Sequence, residues 1–167
     1  MNSVKLKTLL PLDKSWLTRL GVLDIINGYK DIETFIGKQK DTSEDILAIK
    51  NASEDWRSDR EIRVGESATL YRLLKFASWK LKLNKTFIKE GSLKTRKVTN
   101  DSSIVNLSQT KLLKLDNGTT QWATASVISG DRERMPNPPY KLLETYEAVD
   151  YWRSRRKMGY CGNLNMM

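Results

Sequence analysis

The sequence predicts a mixed α/β domain, and three observations predict it. Apolar residues recur at helical spacing in several separate segments, each opened by Ser, Thr, Asp or Lys and often closed by Gly. Short β-type runs sit between those segments, an alternation that argues for α/β layers rather than a bundle or an all-β sandwich. The chain has 167 residues, 39% of them hydrophobic and 29% charged, which suits one soluble domain spanning residues 1–167.

The first helix runs from Lys14 to Asn27 on Leu17, Leu20, Val22, Leu23, Ile25 and Ile26, and Gly28 ends it. Ile32-Glu33-Thr34-Phe35-Ile36 reads as a strand ending at Gly37. A second helix opens at 41–45 with Thr42 or Ser43 as cap and continues through Ile46, Leu47 and Ile49. Glu61-Ile62-Arg63-Val64-Gly65 reads as a strand. Ser67 then caps a long helix through Leu70, Leu73, Leu74, Phe76, Ala77 and Leu81.

Thr86-Phe87-Ile88 is the next strand, followed by the polar turn Glu90-Gly91-Ser92, and Lys111 to Leu115 is a further short strand. Thr119-Thr120 begins a helix of small and apolar residues that Gly130 stops. Met135 to Pro139 is an extended proline loop. The last helix starts near Tyr140 and ends in a basic run, Arg153 to Lys157, read as a solvated end. Trp79 and Trp122 read as core residues, and residues 158–167 as a frayed tail.

Composition excludes several classes of chemistry. Without His there is no Ser-His or Cys-His nucleophile and no His-ligated metal. Cys161 alone forms neither an internal disulfide nor a thiolate cage, which points to a reducing cytosol. No apolar run approaches the ~20 residues of a membrane-spanning helix, and the start reads as no signal peptide. The net charge of +9 suits an anionic partner, and equally a basic surface that binds nothing.

Polar chemistry collects at three helix starts: Lys14-Ser15 with Arg19, Ser67 and Thr69 with Arg72, and Thr119-Thr120-Gln121. Helix N-termini present backbone N–H groups and a positive dipole end. If these ends converge, Lys and Arg supply charge while Thr and Gln supply orienting hydrogen bonds, and a phosphate or carboxylate is the natural ligand. Singly, each Ser or Thr is an ordinary cap, and Arg19 or Arg72 fits a surface arginine whose stem covers apolar side chains. Only the repetition favours a site.

Five short segments, in order, resemble the enolpyruvyl transferase family. Lys14-Ser15 with Arg19 looks like K-S-x-x-x-R, and Ser43-Glu44-Asp45 like S-D-D. Gly65-Glu66-Ser67-Ala68-Thr69-Leu70-Tyr71-Arg72 resembles G-N-A-G-T-x-x-R, and Ser92-Leu93-Lys94-Thr95-Arg96 resembles S-L-R-x-R-P. Thr119-Thr120-Gln121-Trp122, followed by Pro139-Tyr140 and Thr145, is similar to S-S-Q-F followed by P-Y and T. The resemblance covers most of this chain and less than half of the family's usual chain.

The resemblance implies one lobe of a two-lobed fold, built from βαβαββ-type units with parallel helices packed under sheets. It implies transfer of an enolpyruvyl group from phosphoenolpyruvate to a phosphorylated shikimate, in the shikimate pathway. Lys14, Ser15, Arg19, Thr119, Thr120, Gln121 and Tyr140 would then hold the shikimate 3-phosphate-like substrate. Lys14, Ala68, Arg96 and Gln121 would border phosphoenolpyruvate, with Lys14 the catalytic residue, and Thr69 and Arg72 would brace the loop. No cofactor and no metal is implied.

Departures accompany the likeness. Glu66 stands for Asn, Ala68 for Gly and Lys97 for Pro, and the stretch between Val98 and Thr119 is short. The second lobe, which carries the family's acid/base groups, has no counterpart, so a partner polypeptide or self-association would have to complete the cleft. One alternative is a non-catalytic phosphometabolite-binding or regulatory domain of the same fold. Another, from a different class, is a small basic nucleic-acid-binding protein. No membrane partner is expected.

Overall fold

A computed structural model describes residues 13–95, 119–131 and 142–157. These residues are mostly helical, with one small two-stranded parallel sheet, which places the chain in a mixed α/β class. Helix α1, Lys14–Asn27, is opened by the Asp13 carboxylate, which accepts from the Trp16 N–H. Gly28 ends it in a left-handed conformation at φ 80°, a conformation that Gly adopts without a Cβ penalty. Leu17, Leu20, Val22, Leu23 and Ile25 are all buried, and so are Thr18, Gly21 and Asp24, so α1 is enclosed nearly all round. Gly21 is required by close packing, because a Cβ there would run into Ile49.

The expected strand at Ile32 to Ile36 is instead helix α2, Asp31–Gly37. Ile32, Phe35 and Ile36 are buried at spacings of three and four, a helical stripe and not a strand's alternation. Asp24 supports this outcome by accepting from the Ile32 N–H at 2.9 Å, near the start of α2. Helix α3, Glu44–Trp56, is capped by Ser43, one of the two caps the sequence offers, and carries Glu44 and Asp45 in its first turn.

Strands β1, Ile62–Gly65, and β2, Phe87–Lys89, pair in parallel, with Ile62 opposite Phe87 and Arg63 opposite Ile88. Helix α4, Ala68–Lys80, connects them, and Ser67 caps it by accepting from the Leu70 N–H at 3.2 Å. The expected polar turn is present at Glu90 and Gly91, closed by Leu93 N–H donating to the Glu90 carbonyl at 3.1 Å, and a short helix α5, Ser92–Thr95, follows from it. Helix α6, Thr119–Ser126, continues into a π-helical segment, Val127–Asp131, that Gly130 breaks at φ 110°. Helix α7, Leu143–Lys157, is the last described element.

The long helices run side by side in the same sense. Arg19 reaches Thr145 near the starts of α1 and α7, and Trp152 reaches Asp24 further along both. Gln121 bonds Thr69 at the starts of α6 and α4, while Leu81 faces Ile128 and Gly130 where they end. The core fills the space between them around Trp122, Leu70, Leu73, Leu74 and Phe76.

Two further readings are corrected. The basic run closing α7 is not a solvated end throughout. Arg155 is 7% exposed, and Arg156 bridges Asp24 at 2.9 Å and Asp31 at 2.5 Å while its guanidinium lies 3.6 Å from the Tyr29 ring centroid. Only Arg153 and Ser154 of the described part of that run face outward. Trp122 is fully buried as expected, but Trp79 is 45% exposed because it stands on the outward side of α4, next to buried Ala77 and Ser78, with its ring packed edge-on against Phe76. The expected strand at Lys111 to Leu115, the loop at Met135 to Pro139 and the tail at 158–167 lie outside the described residues. No helix among the described residues is long and apolar enough to cross a membrane.

Candidate functional site

The starts of α1, α3 and α4 meet at one rim, joined by the first turn of α6, and enclose a cavity of about 310 Å³. Lys14, Ser15 and Arg19 line it from α1, Asp45 from α3, Ala68, Thr69 and Arg72 from α4, and Gln121 from α6. Glu66, Ser67 and Thr18 complete the wall. Gln121 lies about fifty positions beyond Thr69, and parallel packing of α4 and α6 unites them.

Arg19 dominates the electrostatics. Its Nη1 donates to the Ser15 carbonyl at 3.0 Å and to Ser15 Oγ at 2.5 Å, and its Nε donates to Thr145 Oγ1 at 3.1 Å. Thr145 in turn donates to Thr124 Oγ1 at 3.3 Å, which fixes its hydroxyl. Every one of those partners is neutral, and among the described residues no carboxylate forms an ion pair with Arg19. Burial lowers its pKa, partly opposed by the charges of Glu144 and Asp13. An arginine stays protonated regardless, so the burial cost is carried as charge that an incoming anion would neutralise.

Lys14 is differently placed. Its ammonium pairs with Asp45 at 2.8 Å, but the lysine side chain is 57% exposed, so the pair is weak and open to exchange with a ligand. Arg72 is buried at 8% exposure and donates to Gln121 Oε1, while Gln121 Nε2 donates to Thr69 Oγ1 at 2.8 Å. These hydrogen bonds hold the amide and the threonine in fixed orientations. Glu66 turns one oxygen toward α5 and accepts from the Ser92 N–H at 2.8 Å. It folds over Gly91, at φ 51°, where a Cβ would collide with the carboxylate.

Lys14, Ser15, Arg19, Ala68, Thr69, Arg72 and Gln121 are therefore brought together. Thr119 and Thr120 begin α6, and only their backbone is described. Arg96 and Tyr140 lie outside the described residues. Sequence reasoning gives no role to Thr18 or Thr124, and it points to Asp45 only within the Ser43-Glu44-Asp45 segment, not as the partner of Lys14. Among the described residues no cluster of acids and cysteines is arranged to hold a metal ion.

No family model, no curated protein and no solved structure matches this chain. Fold and site define its class by geometry alone: a mixed α/β protein, mostly helical, with a polar, cation-bearing pocket where its parallel helices begin.

Proposed function

We propose that this chain is an enolpyruvyl-transferase-like domain that binds a phosphorylated shikimate-type substrate, as one lobe of a 3-phosphoshikimate 1-carboxyvinyltransferase-like site. The observation that carries the reading is Arg19: a partly buried guanidinium, oriented by Ser15 and Thr145, on a pocket that also presents Lys14, Thr69 and Gln121. A phosphate there would receive charge from Arg19 and Lys14, and hydroxyls of the substrate would meet Gln121 and Thr69. In this reading Lys14 touches the reacting phosphoenolpyruvate. Further acid/base groups come from a second lobe, supplied by a partner polypeptide or a second copy.

Thermal stabilisation of the purified chain, measured separately with shikimate 3-phosphate, phosphoenolpyruvate and inorganic phosphate, tests the binding claim. Ligand at 100 times its Kd should add about 2.7 kcal/mol to unfolding. No stabilisation by shikimate 3-phosphate at millimolar concentration would refute it. Phosphate release with both substrates present then tests for turnover.

A non-catalytic phosphometabolite-binding domain of the same fold is the second reading, favoured by the Lys14–Asp45 pair and by Glu66 on the pocket wall. Binding without phosphate release, even with candidate partner lobes present, would select it. The nucleic-acid reading loses part of its footing, since Arg155 and Arg156 are turned inward.

A further inference from the structure

The opposite end of α4 has a distinct character. Between Glu66 and Glu90 the chain has no acidic residue, and residues 79–85 carry Lys80, Lys82 and Lys85. In the middle of this stretch Trp79, Leu81 and Leu83 stand 45%, 46% and 45% exposed. We propose that this tip, residues 79–85, docks the protein peripherally on an anionic lipid surface.

The tip is built rather than floppy. Leu81 N–H donates to the Ala77 carbonyl at 2.9 Å and Lys82 N–H to the Trp79 carbonyl at 3.1 Å. Buried Ser78 anchors the return, its carbonyl accepting from Leu83 N–H at 3.0 Å and its hydroxyl from Lys85 N–H at 2.8 Å. Lys82 and Asn84 hold left-handed φ values of 58° and 52°, uncommon for residues with side chains. That backbone keeps three large apolar side chains in water in a fixed arrangement, so docking them loses little conformational freedom.

The charge pattern matches the occupant. Lys82, set between Leu81 and Leu83, places an ammonium group to meet lipid phosphates as the apolar groups enter the headgroup boundary, whereas the Lys85 ammonium is held by the Trp56 carbonyl at 2.9 Å. Leu81 also lines a mixed groove of about 310 Å³ with Ile26, Trp152, Asn27 and Arg153, so a further cation borders the tip. Leu81 and Leu83 have no π-face on which a base could stack, which favours lipid over single-stranded nucleic acid. Helix α4 spans roughly 20 Å at 1.5 Å per residue, so the candidate site at its start would face away from the lipid and stay open. The expectation of no membrane partner rested on the lack of a spanning segment, which peripheral docking does not need.

Flotation of the full chain with vesicles of phosphatidylcholine alone, or with about one-third phosphatidylserine, tests the proposal. Binding should require phosphatidylserine and weaken as salt rises. Lys82→Gln should weaken it about fivefold, and the double variant Leu81→Ser, Leu83→Ser should abolish most of it while circular dichroism stays unchanged. If the double variant unfolds, Leu83→Ser alone, at an exposed position, serves in its place. Absence of binding to phosphatidylserine vesicles at low salt overturns the proposal. So does equal binding to both vesicle types, and so does anisotropy showing oligonucleotide binding that Lys82→Gln weakens while vesicles are ignored.

Discussion

Arg72 and Gln121, on different helices, share a hydrogen bond that locks the amide of Gln121 between Arg72 and Thr69. The bond fixes which end of the amide accepts and which donates, because a guanidinium can only donate. What faces the cavity is thereby set by α4 and not by Gln121 itself.

Replacing Gln121 separates support from recognition. Gln121→Ala removes the acceptor for a buried arginine and should destabilise the fold by about 1–3 kcal/mol while weakening shikimate 3-phosphate binding. Gln121→Glu keeps an acceptor for Arg72 but places a carboxylate in the pocket. Its melting temperature should stay near that of the parent, while affinity for the anion falls in calorimetric titration.

Arg19→Ala should cost about 1.5–3 kcal/mol of binding, roughly ten- to hundredfold in Kd for shikimate 3-phosphate. Arg19→Lys retains the charge but cannot donate to Ser15 and Thr145 together, so an intermediate loss is expected. Unchanged affinity in both Arg19→Ala and Gln121→Ala, with the fold intact, would remove the proposed site.

Two buried carboxylates should push stability in opposite directions with pH. Burial raises the pKa of Asp24 above its ordinary 3.8, against hydrogen bonds from Trp152 and the Ile32 N–H and the charge of Arg156. Its folded form binds protons more readily than the unfolded chain. Its stabilising contribution is thus present in full below 3.8 and is lost as pH rises through the raised folded value. Burial also pushes Asp55 up, but the hydrogen bonds and charge of Arg63, with the charge of Arg60, bring it below 3.8. Its contribution is present above 3.8 and is lost as pH falls through the depressed folded value. Melts between about pH 2 and 6 should therefore show Asp55→Asn losing the acid-side decline and Asp24→Asn losing the opposing slope.

Gly21→Ala should destabilise the protein although Ala is the better helix former. The added methyl meets the Ile49 side chain across the α1–α3 contact, and overpacking of this kind costs about 1–3 kcal/mol. At about 2–4 °C per kcal/mol for a chain of this size, differential scanning calorimetry should record a drop of roughly 2–12 °C.

Sequence alone was enough for α1, α3 and α4, because each has several turns of apolar repeat. The latter two also open on legible caps, Ser43 being one of two candidates and Ser67 the other helix's cap, while the Asp13 cap of α1 came only with the structure. Sequence also points to Lys14, Ser15, Arg19, Thr69 and Gln121, since helix starts advertise their polar residues locally. Tertiary structure alone decided three other matters. In Ile32 to Ile36 the apolar run is too short to separate a period of 2 from one of 3.6, and the Asp24 carboxylate with the neighbouring core selected the helix. Arg156 turned inward because Asp24 and Asp31 wait for it there, whereas Trp79 stayed out because the core side of that turn of α4 is taken by Ala77 and Ser78. Long side chains can point either way from the same backbone, and only distant partners choose between those directions.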